Sequence, residues 1–111
     1  NVIRLDELPS SLHSGTSLEI EFDNTITGLK EVRKFIVCDE NKERPAAGTF
    51  VVIRHESKTL IGKYRWNKQQ STDNNQQYYI VTVKGFGPAE RIKVGENEWL
   101  KFKPLAMEVI E

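Results

Sequence analysis

The sequence predicts an all-β fold, a compact, partly open barrel or sandwich of about seven to nine short, mainly antiparallel strands. Three observations carry that prediction. Residues Ser17–Asp23 alternate cleanly, with Leu18, Ile20 and Phe22 on one side and Glu19, Glu21 and Asp23 on the other. That is the pattern of a half-buried antiparallel strand with a solvated acidic face. Apolar segments of strand length recur roughly every 8–12 residues with turn residues between them, the spacing of sandwiches and barrels. No segment carries a helical apolar period for longer than about two turns.

In chain order, VIRLDELPSSLH suggests a short helical turn with a stop at Pro9, and Ser10, Ser11, Ser14 and Gly15 make the next residues loop-like. Residues 1–16 therefore read as an N-terminal arm or linker, and residues 17–111 as a single β domain. Asp23-Asn24 opens a turn that Thr27-Gly28 closes, and Val32–Cys38 is the next strand. Asp39–Ala47 is a charged turn. Phe50–Arg54 and Thr59–Trp66 come next as strands. Asn67–Gln77 holds no apolar residue and predicts a solvated hairpin loop. Gln77–Lys84 is a strand, and Gly85-Phe86-Gly87-Pro88 a tight turn that lacks the Lys-Ser/Thr and helix of a phosphate-binding loop. Glu90–Val94, Glu98–Lys103 and Leu105–Ile110 complete the strands.

Length and composition bound the function. A chain of 111 residues suits one modest core. Sixteen basic and sixteen acidic residues cancel, so net charge offers no general argument for nucleic-acid or membrane partners. No apolar run approaches the ~20 residues that cross a bilayer. The opening NVIRLDELPSSL has no apolar h-region, so no signal peptide is read there. The first residue is Asn1 rather than Met, which leads us to expect a fragment or a processed product, a reading that leaves room for an N-terminal domain. The lone Cys38 excludes an intramolecular disulfide and suits a reducing cytoplasm; as the end of FIVC it reads as a small core hydrophobe. His13 and His55 are too far apart to suggest a zinc site, and no metal or cofactor is expected.

The segment FIVCDENKERPAAGTFVVIRHESKTLIGKYRW carries a family resemblance. A strand runs into a turn with Arg44-Pro45 and Gly48, and the strand Phe50–Ile53 comes after it. This resembles the core of the LexA/phage-repressor autopeptidase domain, shared with signal peptidases, where the turn is of the Ser-Met-x-Pro type. The resemblance implies that Asn41 or Lys42 stands where the family has its nucleophilic serine. Lys63, in LIGKYRW, resembles the family's base, with Lys84 as a second candidate. Ser14-Gly15 resembles the self-cleavage bond. The strand after Lys103-Pro104 resembles the closing strand, which implies a homodimer interface at Leu105, Met107 and Val109. The implied function is a non-catalytic regulatory or dimerisation domain of a transcriptional regulator. It would reach DNA only through an N-terminal helix-turn-helix domain.

Two further readings stand beside it. One is a stand-alone β-barrel module binding a protein or a nucleic acid; the other is an active serine–lysine autopeptidase using a different serine. Arg91, Lys93, Lys101 and Lys103 could line one sheet face near Tyr78, Tyr79, Phe86 and Trp99, as in a single-strand binder. Glu90, Glu96 and Glu98 interleave with them, however, and predict a mixed-charge solvated face. Glu19, Glu21 and Asp23 read as the wet side of their strand rather than as paired catalytic carboxylates.

Overall fold

Alternation is realised where it was cleanest. In β2, Ser17–Asp23, Ile20 and Phe22 are buried while Ser17 and Asp23 are exposed. The structure, a computed structural model, describes residues 2–110. Its other strands are β1 (Val2–Arg4), β3 (Lys30–Val37), β4 (Phe50–His55), β5 (Lys58–Gln70), β6 (Gln77–Lys84), β7 (Glu90–Gly95) and β8 (Ala106–Glu108). A single 3-10 turn, Leu5–Glu7, comes after β1, and a one-turn helix, α1 (Glu96–Trp99), after β7. The strands form one open sheet in the order β1-β2-β3-β8-β4-β5-β6-β7. Every pairing is antiparallel except the parallel step between β1 and β2.

Strand β4 explains how one sheet makes two cores. Its run Phe50-Val51-Val52-Ile53 is buried on both faces, the behaviour of a central strand with a continuous apolar sequence. Val51 and Ile53 join a cluster with Tyr64, Val81, Val83, Ile92, Val94 and Trp99. Phe50 and Val52 join a second cluster with Ile20, Phe22, Phe35 and Ala106. Burying aliphatic and aromatic side chains contributes about 1.5–3 kcal/mol each, so β4 anchors both halves.

Several expectations are revised by packing. The 1–16 stretch begins with β1, whose Val2–Arg4 pair with Glu19–Glu21, and Leu5 and Leu8 pack on the second cluster. Arg54 holds the stretch further by donating to the carbonyls of Leu8 and Pro9. Glu98–Lys103 is not a strand. Trp99 and Phe102, three residues apart, both reach the first cluster, and that spacing selects a helical turn over alternation. Asn67–Gln77 is not all loop: Asn67–Gln70 continue β5 opposite Gln77–Ile80, and residues 71–76 make the connection. Backbone ladder bonds need no apolar side chains, so polar composition alone does not end a strand. The closing strand is short and central. β8 lies between β3 and β4, pairing Met107 with Ile36 on one side and Val51 on the other.

Strands β5 and β6 cross at unusually short range beside Gly62 and Gly85. A Cβ on Gly62, whose φ is +154°, would lie 2.4 Å from the Lys84 carbonyl carbon and oxygen. A Cβ on Gly85 would lie 2.6 Å from the Ile61 oxygen. Only glycine permits this approach. It brings Lys63 and Lys84 into direct cross-strand register.

Candidate functional site

The Asp39–Gly48 turn, where a nucleophile would sit in the resembled family, is clasped to the body. The Tyr64 hydroxyl donates to the Pro45 carbonyl, and the Gly48 N–H donates to the Tyr64 carbonyl at 2.8 Å. The Lys103 ammonium donates to the carbonyls of Glu40 and Lys42. Arg44 donates to the Trp99 carbonyl at 2.8 Å. Each contact satisfies backbone groups that a turn otherwise leaves to water.

Asn41 and Ser14 do come together. Both line a cleft of about 390 Å³ with His13, Cys38 and Arg54. Its chemistry is quiet. Burial pushes the Cys38 thiol up to about 11, so at neutral pH it is a thiol and not the thiolate that attacks. Arg54 and Lys103, which also line it, are held by backbone carbonyls. Gly15, at φ +82°, donates its N–H to the Val37 carbonyl at 2.9 Å and so shapes the turn beside Ser14. Lys63 is not among the residues lining this cleft. It is exposed on β5.

The positions Leu105, Met107 and Val109 also separate. Leu105 packs on the second cluster and Met107 on the first. Val109 remains exposed at 39%. The acidic face of β2 is half-buried beside β1 and not fully solvated, with Arg4 donating to Glu21 at 2.9 Å and to Asp23 at 3.4 Å.

The strongest charge pattern lies on the outer face of β5, β6 and β7. Tyr64, Val83, Ile92 and Val94 point into the first cluster. The residues that interleave with them, Lys63, Arg65, Lys84, Arg91 and Lys93, are all exposed. The register sets them side by side: Lys63 opposite Lys84, Arg65 opposite Thr82, Thr82 opposite Arg91, and Ile80 opposite Lys93. Glu90 lies opposite Val83, so it belongs to the other face. Glu96 and Glu98 are on α1, beyond the end of β7. Among the described residues, none of the five cations is in an ion pair, and Lys93 Nζ lies 4.5 Å from the centroid of the Tyr78 ring.

This corrects the mixed-charge face expected around Arg91 and Lys93. The glutamates that interleave in sequence are removed to the opposite face or to another element. Lys101 and Lys103 do not share the face either; they line the cleft with Asn41. Sequence reasoning missed Lys63, Arg65 and Lys84 as its partners. Strand parity could have placed each on an outer face, but only the hairpin registers show that these faces are one surface.

Two lysines directly opposite each other destabilise an antiparallel pair, by roughly 0.2–1 kcal/mol on the scale of cross-strand interactions. A local rule broken without an internal compensation is a mark of a functional surface. Among the described residues there is no cluster of His, Cys, Asp and Glu able to hold a metal ion, and no helix long and apolar enough to cross a membrane. Comparison with protein-family models, with curated proteins and with solved structures gives no match to this chain. Its own residues therefore carry any functional assignment.

Proposed function

We propose that this domain is a small β module that binds single-stranded nucleic acid on the outer face of β5, β6 and β7. The observation that carries the reading is the segregation of charge. Among the described residues, one face of three adjacent strands holds five exposed cations and no carboxylate, in a chain whose formal net charge is zero. Cations two residues apart on a strand stand about 6.8 Å apart, and neighbouring strands about 4.8 Å apart. That makes a narrow track of positive charge, matched to a polyanion with regularly spaced phosphates. The cations lie on the strands of a sheet face, which favours a single strand lying across it over insertion of a helix into a duplex groove. Tyr78 adds an aromatic ring to the same surface. Support for dimerisation through the closing strand is weaker, because β8 is flanked by strands on both sides.

Fluorescence anisotropy with a labelled single-stranded oligonucleotide, titrated with salt, tests the reading. Five neutralised phosphates give a slope of log K against log salt of about −3.5, and removing one cation reduces its magnitude by about 0.7. Arg65→Ala and Arg91→Ala should weaken binding equally for all sequences, while Glu19→Ala leaves it unchanged. Absence of binding at low salt, or full affinity in the Arg65→Glu/Arg91→Glu double variant, overturns the proposal.

A further inference from the structure

The cationic track ends beside an open pocket at the junction of β7 and α1. Tyr78 on β6 lies directly opposite Gly95 on β7. Most glycines here have a local reason. Gly15, Gly28, Gly48 and Gly62 adopt positive φ, and Gly85 meets the Ile61 carbonyl. Gly95 has neither of these reasons; it is the N-cap of α1, a position that glycine fills well. Its φ of −65° and ψ of 155° suit any residue, and a Cβ there would meet nothing within 4 Å. A glycine at the end of a strand also leaves room for a ligand to approach the backbone closely. What its missing side chain opens is the flank of the Tyr78 ring.

The surroundings of that opening are polar and shaped. A pocket of about 600 Å³ is lined there by Asn74, Gln76, Tyr78, Lys93, Gly95 and Asn97, and also by the carboxylates Glu96 and Glu98, so it suits an uncharged base and not a phosphate. The 71–76 loop that forms one wall is braced by its own bonds. Ser71 N–H donates to the Gln76 carbonyl at 2.8 Å, and Gln76 N–H donates to the Asn74 side-chain oxygen at 3.0 Å. Asn75 holds a left-handed conformation at φ +57° to close the turn. The opposite wall is the start of α1 with Asn97. Carboxamides offer donor and acceptor together, the combination that reads the edge of an unpaired base.

We infer that this pocket takes one nucleobase of the bound strand, stacked on Tyr78 over Gly95, with its edge toward the amide of Asn97 and the braced 71–76 loop as the facing wall. Lys93, already 4.5 Å from the Tyr78 ring centroid, stands where it can meet the phosphate of that nucleotide. The inference rests on the nucleic-acid reading and adds base recognition to what would otherwise be contact with the backbone alone. Stacking on an aromatic side chain is sequence-tolerant; the Asn97 amide is what gives one base an advantage over another.

The test compares an ordinary single-stranded oligonucleotide with an abasic one of the same length and charge. The wild-type protein should bind the ordinary strand about tenfold more tightly, in line with one base–aromatic stack. Gly95→Leu, which the backbone accepts, should fill the opening and erase that preference without altering the salt slope. Tyr78→Ala should do the same, and it decides the matter if Gly95→Leu does not fold, as judged by its thermal melt. Asn97→Ala should narrow the differences among homopolymeric strands and leave the abasic strand unaffected. Equal affinity for both strands with the salt slope intact removes the base pocket and leaves the cationic track standing. A folded Gly95→Leu protein that keeps the full preference removes it too. Failure to bind either strand overturns the track and the pocket together.

Discussion

The Arg44 guanidinium carbon lies 3.7 Å from the centroid of the Trp99 ring, and its Nη2 donates to the carbonyl of that same tryptophan at 2.8 Å. One side chain thus joins the turn before β4 to the helix after β7. Trp99 is well placed to receive it: its ring stacks on Tyr79 at 4.1 Å and on Phe102 at 6.1 Å, and meets Trp66 at 5.7 Å. The Arg44 Nε is buried without a hydrogen-bond partner, and the contact with the ring faces offsets part of that cost.

Removal of this clasp should be measurable. A charge-assisted hydrogen bond and a partly desolvated cation–π contact together predict a loss of about 2 kcal/mol for Arg44→Ala. Arg44→Lys should recover less than half of it, since an ammonium lacks the planar fork that stacks and donates at once. Urea unfolding followed by tryptophan fluorescence reads both variants. An alanine variant within about 0.5 kcal/mol of wild type would show that the turn is held by its other contacts.

The glycine crossing makes a sharper demand. Gly62→Ala places a Cβ 2.4 Å from the Lys84 carbonyl, in backbone that cannot yield without breaking the β5–β6 ladder, at a φ that L side chains rarely adopt. The expected cost is about 3 kcal/mol, with loss of the Lys63–Lys84 register. Gly95→Ala is the control: nothing stands within 4 Å, so it should lose only a glycine N-cap, well under about 1 kcal/mol. Thermal melts of the two variants that coincide would refute the close approach.

Met107 decides whether the closing strand serves the monomer or an interface. It packs on the first cluster and lies between Ile36 and Val51. Met107→Lys should therefore lower unfolding stability by roughly 2–4 kcal/mol, the range for losing a core side chain and desolvating a charge, with no change in association state. Sedimentation and denaturation of wild type and variant together give the answer. A wild-type dimer that Met107→Lys converts to an equally stable monomer would instead place the residue between two chains.

Much of the strand content was legible because alternation is local. Ser17–Asp23 and Gln77–Lys84 form strands with the limits their patterns suggest, and the unbroken apolar run at Phe50–Ile53 became the strand buried on both faces. Where local pattern and tertiary packing competed, packing won. Trp99 and Phe102 were drawn to one cluster from successive turns, so a helix stands where alternation suggested a strand. The polar Asn67–Gln70 kept pairing because their partners on β6 were already in register.

The sequence by itself determined the all-β class and the inward and outward sides of the main strands. It could not determine that Lys63, Arg65, Lys84, Arg91 and Lys93 share one surface, that Glu90 leaves it, or that Gly95 opens beside Tyr78. Those are relations between strands, set by hairpin register and by the backbone crossing at Gly62 and Gly85. Periodicity assigns each side chain a face of its own strand but not a neighbour. A charge sum of zero likewise says nothing of how the charges are sorted, and it is the pairing of strands, bonded across long sequence separations, that sorts them.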